Sequence, residues 1–436
     1  MLRIRRARVP VALLPAGLQP GKPDPFEPVL LCDLLVDSTG IAAVGPAGTL
    51  APAEKEYDAA GSLLFPGFVD AHTHLDKTHT WYRVPNHSGT FWEALHTLGR
   101  DKDNWTEADL RRRAGYALRT AWAHGTRLIR THIDTALPWA ETSHATMAAL
   151  RAEWKGRIEL QTIPLCDSAI YTNREGERTA DMALRYGATA LGCFIQMSPD
   201  LDRQIASLLA IARERGVGID LHVDENPNPQ AEVLRHVAEG VLRTGFPNQV
   251  VCGHCCSLAV QEPARARSTI DLVRAARIGI ISLPLCNVYL QDRTTAESPF
   301  PRAPRWRGLT LIQDLLAAGV PVACAGDNVR DTFYAFGDYD MLEIYVQSLR
   351  LAHLDTQLSE SVKVVTSTPA DLLGRPEYGR IAPGARAHLV VFEAKSFSEL
   401  LSRPGVVRRC IDGEEVRILP PPDYAELGDQ PAGLSQ

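Results

Sequence analysis

The sequence lacks three features that would place it in a specialised class of protein. It has no run of about 18 uninterrupted apolar residues, so we predict no membrane-spanning helix. Basic residues are not in excess, since 46 Lys and Arg stand against 52 Asp and Glu, for a formal net charge of −6. That sign disfavours a surface that neutralises phosphates. Nucleic acid and membrane are therefore not expected as partners.

The nine cysteines form no short framework of regular spacings, which disfavours a disulfide-stapled secreted fold. The first 18 residues superficially offer the basic and apolar stretches of a secretory signal, but Pro10 and Pro15 interrupt the apolar run. We interpret this segment as a first strand followed by a loop. The sequence therefore predicts reduced thiols and a cytoplasmic location.

The composition is that of an ordinary globular chain. Of the 436 residues, 45% are hydrophobic, 7% aromatic and 22% charged, so neither a disordered nor a fibrous protein is expected. The length would allow up to three domains, but one (β/α) barrel with appendages can absorb most of it.

After Phe65-Pro66-Gly67, short β-rich runs alternate with helical patterns such as 202–215, 231–243 and 311–318. Eight strand candidates can be counted. Their ranges are 68–74, 127–133, 158–164, 188–195, 217–223, 248–254, 278–284 and 321–326. Strands alternating with helices imply a parallel sheet, and eight such units predict an α/β fold closed into a (β/α)₈ TIM barrel. Short strands are also expected near both termini, where they could pair.

Polar residues lie at or just past the ends of several predicted strands, the face on which such barrels build active sites. They are His72, His74, His222, Glu225, His254 and Asp327. Each signal is weak by itself, because strand-end histidines are often core residues, Glu225 could cap the next helix, and Asp327 could be a helix N-cap. Their joint placement favours a common site.

His72 and His74 lie two positions apart, so both side chains project to the same side of their strand and can bind one ion. With His222 and Asp327 they supply the imidazole and carboxylate ligands that suit Zn²⁺ or Fe²⁺. A metal lowers the pKa of bound water to about 7, which makes hydroxide available as a nucleophile. Glu225 would then shuttle a proton, while Asp327 or His254 orients the water.

An ordered set of strings resembles the amidohydrolase superfamily, and within it the cytosine deaminase group, over nearly the whole chain. The strings are Phe65-Pro-Gly-Phe-Val-Asp-Ala-His-Thr-His74, Asn86-His-Ser-Gly-Thr90, Arg130-Thr-His-Ile-Asp134, Asp220-Leu-His-Val-Asp-Glu225, Gly253-His254, Pro284-Leu-Cys-Asn-Val-Tyr-Leu-Gln291 and Gly326-Asp327-Asn-Val-Arg330. The first alone is moderately specific, whereas the ordered set is strong.

The resemblance implies that His72, His74, His222 and Asp327 hold a single divalent metal, zinc or iron. It makes Glu225 the proton shuttle to the ring nitrogen, and His254 the group that orients water or polarises the leaving amine. A bridging lysine, typical of two-metal members, is absent from the run 188–196. The implied reaction is attack of metal-bound hydroxide on a cyclic amidine, with release of ammonia.

The resemblance also implies that the N- and C-terminal strands form one small β-sandwich. We accordingly predict a sandwich domain from residues 1–60 and 372–436, and a barrel domain from residues 61–371. The expected partner is a small aminated heterocycle, and a homo-oligomer is allowed.

Three positions depart from the cytosine deaminase pattern. Leu165 stands where a glutamine typically binds the pyrimidine edge, Phe333 replaces a tryptophan wall, and Asn328 replaces an acidic residue. The lost amide disfavours unsubstituted cytosine. We therefore expect cytosine or a substituted cytosine such as 5-methylcytosine. Isocytosine, creatinine and an N-alkylamino-triazine of the isopropylammelide type are the alternatives.

Two further residues are candidates for contacts around the substrate. His132 ends the second strand beside the site and could support the ligands from behind. Trp81 follows the first strand with Phe91 and Trp92, and could line the pocket, although packing in the core or a lid is the simpler interpretation.

Other functions were weighed against these residues. Cys252-Gly-His-Cys255 has the spacing of a thioredoxin-like redox motif, but it ends a barrel strand instead of lying in a thioredoxin context. The deaminase class with H-x-E and P-C-x-x-C is excluded, since no P-C-x-x-C follows His222. A non-catalytic scaffold would have lost ligands, and none is lost here.

Overall fold

The computed structural model describes residues 1–18, 24–293, 302–403 and 405–428. The chain divides into two compact units, each built from separate stretches of sequence. The first unit comprises Met1–Ala71, Arg119–Leu128 and Tyr339–Pro422. The second comprises His72–Leu118, Ile129–Asp338 and the C-terminal segment from Asp423, described here to residue 428.

Sixteen strands are formed by the described residues. In chain order they are β1 (Leu2–Pro10), β2 (Val29–Val36), β3 (Ile41–Pro46), β4 (Lys55–Asp58), β5 (Leu64–Pro66), β6 (Phe68–Thr73), β7 (Thr126–Asp134), β8 (Glu159–Leu165), β9 (Ala190–Ile195), β10 (Gly218–Val223), β11 (Val250–His254), β12 (Gly279–Ser282), β13 (Val322–Cys324), β14 (His388–Phe392), β15 (Arg408–Asp412) and β16 (Glu415–Arg417).

Thirteen α-helices are formed within the same ranges. They are α1 (Phe91–Asp101), α2 (Glu107–Ala123), α3 (Ala140–Glu153), α4 (Arg174–Arg185), α5 (Leu201–Glu214), α6 (Val233–Thr244), α7 (Pro263–Ala275), α8 (Pro284–Leu290), α9 (Ile312–Ala317), α10 (Met341–Ala352), α11 (Leu358–Ser361), α12 (Ser367–Leu372) and α13 (Phe397–Ser402). Among the described helices, all are too short or too polar to cross a membrane.

The first unit holds two four-stranded sheets, ordered β3-β2-β1-β4 and β16-β15-β14-β5. Both sheets contribute to one hydrophobic core, in which Ile4 and Leu34 come from the first sheet and Leu389 and Ile411 from the second. Burial of this shared apolar surface is what holds each sheet to the other. The strands expected from the short apolar runs at both ends of the sequence are therefore confirmed.

The second unit is built around parallel strands that alternate with helices. One sheet has the order β13-β12-β11-β10-β9, and its strands pair in parallel. A three-stranded sheet has the order β6-β7-β8, and its residues 68–71 and 126–128 are part of the first unit. All eight strand candidates from the sequence correspond to strands of these two sheets, and the α/β prediction is confirmed at that level.

Isolated parallel bridges extend these sheets at their ends. One joins Thr73 to Asp327, and another joins Asp167 to Phe194. Because successive parallel strands end at the same edge, residues that follow different strands come together there. The side chains that carry the chemistry lie at this edge of the second unit.

Candidate active site

Four side chains from three distant parts of the sequence converge at the strand ends. The Nε2 atom of His222 lies 3.0 Å from Nε2 of His72 and 3.4 Å from Nε2 of His74. Oδ1 of Asp327 lies 3.2 Å from Nε2 of His74 and 3.7 Å from Nε2 of His72. The residues that the sequence assigned to one ion are thus brought together.

Backbone hydrogen bonds hold the first and last strand ends in register. The Asp327 amide donates to the His72 carbonyl oxygen at 2.8 Å, and Thr73 Oγ1 donates to the Asp327 carbonyl oxygen at 2.8 Å. In β6 the side chain of Thr73 therefore turns away while His72 and His74 share one side, as the strand period of two requires. Asp327 adopts a left-handed φ of 61°, an unusual conformation for a non-glycine residue.

Register and one small residue place the remaining histidines. In the parallel ladder, His222 of β10 is level with Gly253 of β11, and Val223 is level with His254. A Cβ at position 253 would lie 3.0 Å from Cε1 of His72, so any larger residue would push against that ring. Glycine therefore lets the His72 imidazole reach the centre of the site.

The chemistry of these donors fits a divalent metal. Burial lowers the pKa of His72, His74 and His222 well below the usual range, so the rings are neutral and their nitrogens can act as ligands. Tetrahedral Zn²⁺ with bonds of about 2.0–2.1 Å would separate its ligands by roughly 3.3–3.4 Å. The observed separations of 3.0 to 3.7 Å bracket that value.

His132 lies behind this cluster, on β7. Its ring centre is 4.1 Å from that of His72 and 4.6 Å from that of His222. Its Nε2 lies 3.3 Å from Asp220 Oδ1, and Arg130 donates to the other oxygen of Asp220 at 2.8 Å. Ring nitrogens of His132, His72, His74 and His222 all lie within 4.8 Å of one another, so His132 packs directly against the other three histidines.

Asn287, at the start of α8, connects the two proposed proton-transfer residues. Its Nδ2 donates to Glu225 Oε1 at 3.1 Å and lies 3.1 Å from Nδ1 of His254. Glu225 Oε1 itself is 3.4 Å from that His254 nitrogen. An amide NH₂ carries two hydrogens, so it can donate to both groups and leave the His254 proton on Nε2. His254 Nε2 has no hydrogen-bond partner among the described residues.

Both groups have perturbed proton affinities. Burial, followed by repulsion from Asp327, raises the pKa of Glu225 well above its usual range. Burial, followed by the neighbouring His132, lowers the pKa of His254 to about 3. A carboxyl that holds its proton more tightly than usual is suited to carry one between water and a weakly basic ring nitrogen.

A cavity of about 90 Å³ opens over this cluster. Its polar lining consists of His74, Lys77, Gln196, His222, Glu225, His254, Asp327 and Asn328. Its apolar lining, which we call the apolar wall, consists of Phe91, Leu95, Leu98, Leu165, Phe194 and Phe333. The three departures noted in the sequence, Leu165, Asn328 and Phe333, all face this cavity.

The string Asn86–Thr90 supports the apolar wall. Asn86 Nδ2 donates at 2.9 Å to the carbonyl oxygens of both Thr90 and Thr332. Thr90 caps α1 by accepting from the Glu93 amide, which fixes the first turn of that helix. One side chain thus ties the start of α1 to the residue before Phe333, so two parts of the wall are held together.

A second cavity of about 300 Å³ adjoins the first and shares lining residues with it. The shared residues are Phe91, Phe194, Gln196, His222 and Glu225, and the new ones include Trp92, Met197 and Asn226. Trp92 is 69% exposed and Met197 44% exposed, so this space has an open, apolar rim. The open space thus continues well beyond the histidine cluster.

The structure places some residues differently from what position alone suggested. Trp81 is half-buried and lines neither of these two cavities, and its backbone amide donates to the carbonyl oxygen of Arg330. Phe91 and Trp92, named with it, do line them. Lys77 and Asn287 were not singled out, although Asn287 lies in the string Pro284–Gln291 and Lys77 follows the string that ends at His74.

The cysteine motif of β11 has no redox character in this setting. Cys252 and Cys255 are both free and fully buried. Burial raises the pKa of each thiol well above its usual range, so neither is a reactive thiolate. The motif serves to bring His254 to the end of its strand.

Comparison with known proteins gives concordant relatives. A family model described as "Amidohydrolase family" matches residues 170–404. The pterin deaminase of Rhizobium rhizogenes is 44% identical over 403 residues, covering 92% of this chain and 91% of its own. The N-isopropylammelide isopropyl amidohydrolase of Pseudomonas sp. strain ADP is 26% identical, covering 79% of this chain and 83% of its own.

Among solved structures, the 5-methylcytosine deaminase of Klebsiella pneumoniae bound to 5-fluorocytosine superposes with a TM-score of 0.82. It is 25% identical and covers 97% of this chain and 98% of its own. The similarity in sequence and in fold thus extends along nearly the whole chain. The chain belongs to the amidohydrolase family, and it is a deaminase-type hydrolase that acts on carbon–nitrogen bonds.

Proposed function

We propose that this enzyme removes the amino group of an aminated pteridine by hydrolysis, giving the corresponding oxo ring and ammonia. The observation that carries the proposal is the extent of the site, because the cavity over the histidine cluster continues past Phe194 into a larger one. A single pyrimidine ring does not need that additional space. The 44% identity to a pterin deaminase supports the same substrate class.

The chemistry of a pterin agrees with the analysis of the residues. Its aminated ring is a pyrimidine with the amino and oxo pattern of isocytosine, which was one of the cyclic amidines expected. Only the second ring, and any substituent on it, exceeds that expectation. The exposed aromatic and thioether groups of Trp92, Phe194 and Met197 offer apolar surface for this second ring.

We propose His72, His74, His222 and Asp327 as the residues that hold one divalent metal, zinc or iron. Such a metal, when bound, supplies a water of lowered pKa as the nucleophile. The neutral rings and the ligand separations given above support this assignment. His132 would keep the rings of His72 and His222 in position from behind.

Glu225 and His254 carry the proton transfers. Glu225 accepts a proton from the nucleophilic water at Oε1 and delivers it to the ring nitrogen beside the aminated carbon. It then takes the remaining proton from the hydroxyl of the adduct and passes it to the amine, so the carbon–nitrogen bond breaks, ammonia leaves and the hydroxyl oxygen becomes the ring oxo group. His254 donates through Nε2 to the oxygen at the reacting carbon, and Asn287 keeps His254 in that tautomer.

A cytosine-like substrate, 5-methylcytosine in particular, is the second candidate. The fold likeness to a 5-methylcytosine deaminase supports it. Leu165 speaks against it, since this apolar side chain lines the cavity where a pyrimidine edge would need a hydrogen-bond donor. N-isopropylammelide remains a third candidate through the relative of that specificity.

Several features of the whole protein are part of the proposal. We propose that the eight parallel strands close into a (β/α)₈ barrel, which the bridges from Thr73 to Asp327 and from Asp167 to Phe194 support. We propose the two terminal sheets as a β-sandwich, with domain bounds 1–60 with 372–436, and 61–371. Residues 19–23, 294–301, 404 and 429–436 of these ranges lie outside the described residues. A cytoplasmic location and a homo-oligomer stay predictions.

Release of ammonia from a panel of heterocycles tests the substrate. The panel is pterin, isocytosine, cytosine, 5-methylcytosine, creatinine and N-isopropylammelide, with metal content measured on the same protein. We expect kcat/KM to be highest for pterin, at least about tenfold above the single-ring pyrimidines, since the second ring adds buried apolar contact. Glu225→Gln protein purified in parallel corrects for contaminating deaminases.

Each contrary result has a definite meaning. Faster turnover of 5-methylcytosine than of pterin would show that the substrate is a cytosine and not a pteridine. Turnover of N-isopropylammelide alone would assign the triazine reaction. Activity on none of the panel, with metal bound, would end the proposal.

A further inference from the structure

The cavity contains one buried cation whose charge is not paired. Lys77 is 3% exposed and lines the cavity together with Glu225, Asp327 and Asn328. Among the described residues, its Nζ makes no hydrogen bond and no ion pair, and it lies 5.6 Å from the centre of the Phe333 ring. An ammonium therefore faces the cavity with its donors unused.

Two other buried cations of the second unit, Arg113 and Arg130, do have hydrogen-bond partners. Arg113 donates to Asp109 at 2.8 Å and to the carbonyl oxygens of Asp76 and Thr78, also at 2.8 Å. Arg130 donates to Asp220 and to Gln161. Burying a charge without partners costs several kcal/mol, so proteins keep such groups where a ligand completes them.

The carboxylates of Glu225, Asp76 and Asp331 act on Lys77 through space, but no described neighbour forms an ion pair or a hydrogen bond with its Nζ. Asn328 Nδ2 is occupied by Asp331 Oδ2 at 2.7 Å, and Leu165 and Phe333 offer no polar atom. An ammonium has three donors and no acceptor. The missing partner must therefore be an acceptor on the molecule that fills the cavity.

We propose that Lys77 binds the ring oxo oxygen of the substrate and thereby selects oxo-substituted aminoheterocycles, the 4-oxo group in the case of a pterin. This inference rests on the proposed deaminase function and adds a specificity-determining residue to it. Lys77 supplies the polar contact that Leu165 cannot. When water adds to the aminated carbon, the ring gains electron density that conjugation shares with the oxo oxygen, so the ammonium stabilises the transition state as well as the bound substrate.

The alternative is that Lys77 only balances the charge of nearby carboxylates. Its positive charge lowers the pKa of Asp76 and Asp331, although burial raises the pKa of both overall. A balancing role predicts that loss of Lys77 affects every substrate alike. The oxo contact predicts a loss confined to substrates that carry the oxygen.

Lys77→Met, which keeps the length of the side chain and removes the charge, separates these roles. We compare 2-amino-4-oxopteridine with 2-aminopteridine, which has the amino group but no oxo group. We expect kcat/KM of the variant to fall about 100-fold for the first substrate and less than about fivefold for the second, because a contact absent from the second cannot be lost. Lys363→Met, at the ion pair with Glu360 in the first unit, is the matched control and should change neither.

Equal losses on the two substrates, with a lowered melting temperature or lowered metal content, would overturn the inference in favour of charge balance. An unchanged kcat/KM for the oxo substrate would also overturn it.

Equilibrium binding gives a readout that does not depend on turnover. Wild-type and Lys77→Met proteins are titrated with fluorescent 2,4-dioxopteridine and with 2-aminopteridine. We expect the variant to lose affinity for the dioxo ring alone. If the wild type deaminates no heterocycle, the proposed function fails, and the binding selectivity still decides the role of Lys77. If the variant binds both rings as the wild type does, the Lys77 contact is refuted while the deaminase function stands.

Discussion

The histidine cluster and the apolar wall of the same cavity are built by opposite means. The cluster consists of neutral, buried polar groups at strand ends, spaced 3.0 to 3.7 Å apart and joined by backbone hydrogen bonds. The wall comes from helix α1, from the ends of β8 and β9 and from the loop that holds Phe333. Its residues Leu98 and Phe333 belong to a hydrophobic core that also contains Trp105, Leu290 and Tyr334. We propose that the cluster determines the reaction class, whereas the wall and Lys77 determine the substrate.

Metal removal should have the largest effect, and it tests whether the cluster and the wall have separate roles. Chelation should lower ammonia release to the background rate, because neutral imidazoles and one carboxylate cannot activate water by themselves. Binding of the fluorescent pterin should persist within about tenfold, since the wall does not need the metal. Metal analysis, the rate and the pterin titration are measured on the same sample, and re-addition of Zn²⁺ or Fe²⁺ should restore the rate. If chelation abolished pterin binding as well as ammonia release, the cluster and the apolar wall would not have separate roles.

Glu225→Gln should give the next largest effect. We expect kcat to fall about 10³-fold with KM within about threefold, because the amide cannot carry the proton yet keeps the shape of the side chain. Glu360→Gln, on an exposed ion pair in the first unit, is the control. A large change in KM with kcat retained would move Glu225 from chemistry to binding.

The pH profile of the wild type extends the same test. Glu225 must be ionised to accept a proton from water, and burial raises its pKa. Activity should therefore rise with pH through a pKa above the ordinary value for glutamate, and be lost as the pH falls below it. The Glu225→Gln variant should lack this acid limb in kcat/KM.

Asn287 variants should have an intermediate effect with a defined order. Asn287→Leu removes the donor to Glu225 and His254, which should lower kcat about 10- to 100-fold. Asn287→Asp should be worse, since a carboxylate would repel Glu225 and favour the other tautomer of His254. Asn248→Leu, which loses the hydrogen bond from its side-chain amide to the Val217 carbonyl oxygen, is the control. Equal activity of the two Asn287 variants would reduce the residue to a structural role.

Leu165→Gln should produce the smallest change, and in the opposite direction. The amide adds a donor to the wall, so we expect kcat/KM for cytosine to rise about tenfold, the value of one net hydrogen bond. Leu165→Met keeps the volume without the donor and should leave cytosine turnover as it is. The measurement is ammonia release from cytosine and from pterin. If Leu165→Met also raised cytosine turnover, the shape of the wall and not its lack of a donor would limit activity on cytosine.

Much of the cluster could be predicted from sequence for a physical reason. Parallel strands of an α/β protein end at one edge, so the strand-end residues His72, His222 and Asp327 could be expected together although they are distant in sequence. The period of two in a strand explains why His74 joins His72. The eight strands were recognisable for the same reason, since buried parallel strands form continuous apolar runs between turns.

The wall and the second cavity could not be predicted with the same rules. Loop positions have no periodicity, so Trp81 could not be distinguished from Phe91 and Trp92 as a lining residue. Helix α1 did carry a signal, because Phe91, Leu95 and Leu98 recur at helical spacing after the cap at Thr90.

Asn287 lies in a recognised string and Lys77 three residues after another, but their contacts are not visible in the sequence. A lysine three positions after His74 would ordinarily be assigned to the surface, since this residue type is seldom buried. Only the coordinates reveal that it is 3% exposed and faces the cavity.

The bridge between Thr73 and Asp327 has a consequence for how the enzyme is made. It joins the end of β6 to the residues that follow β13, so a nascent chain on the ribosome holds only three of the four proposed ligands until position 327 has emerged. We expect metal loading to be a late event in biogenesis, delayed until the polypeptide is nearly finished.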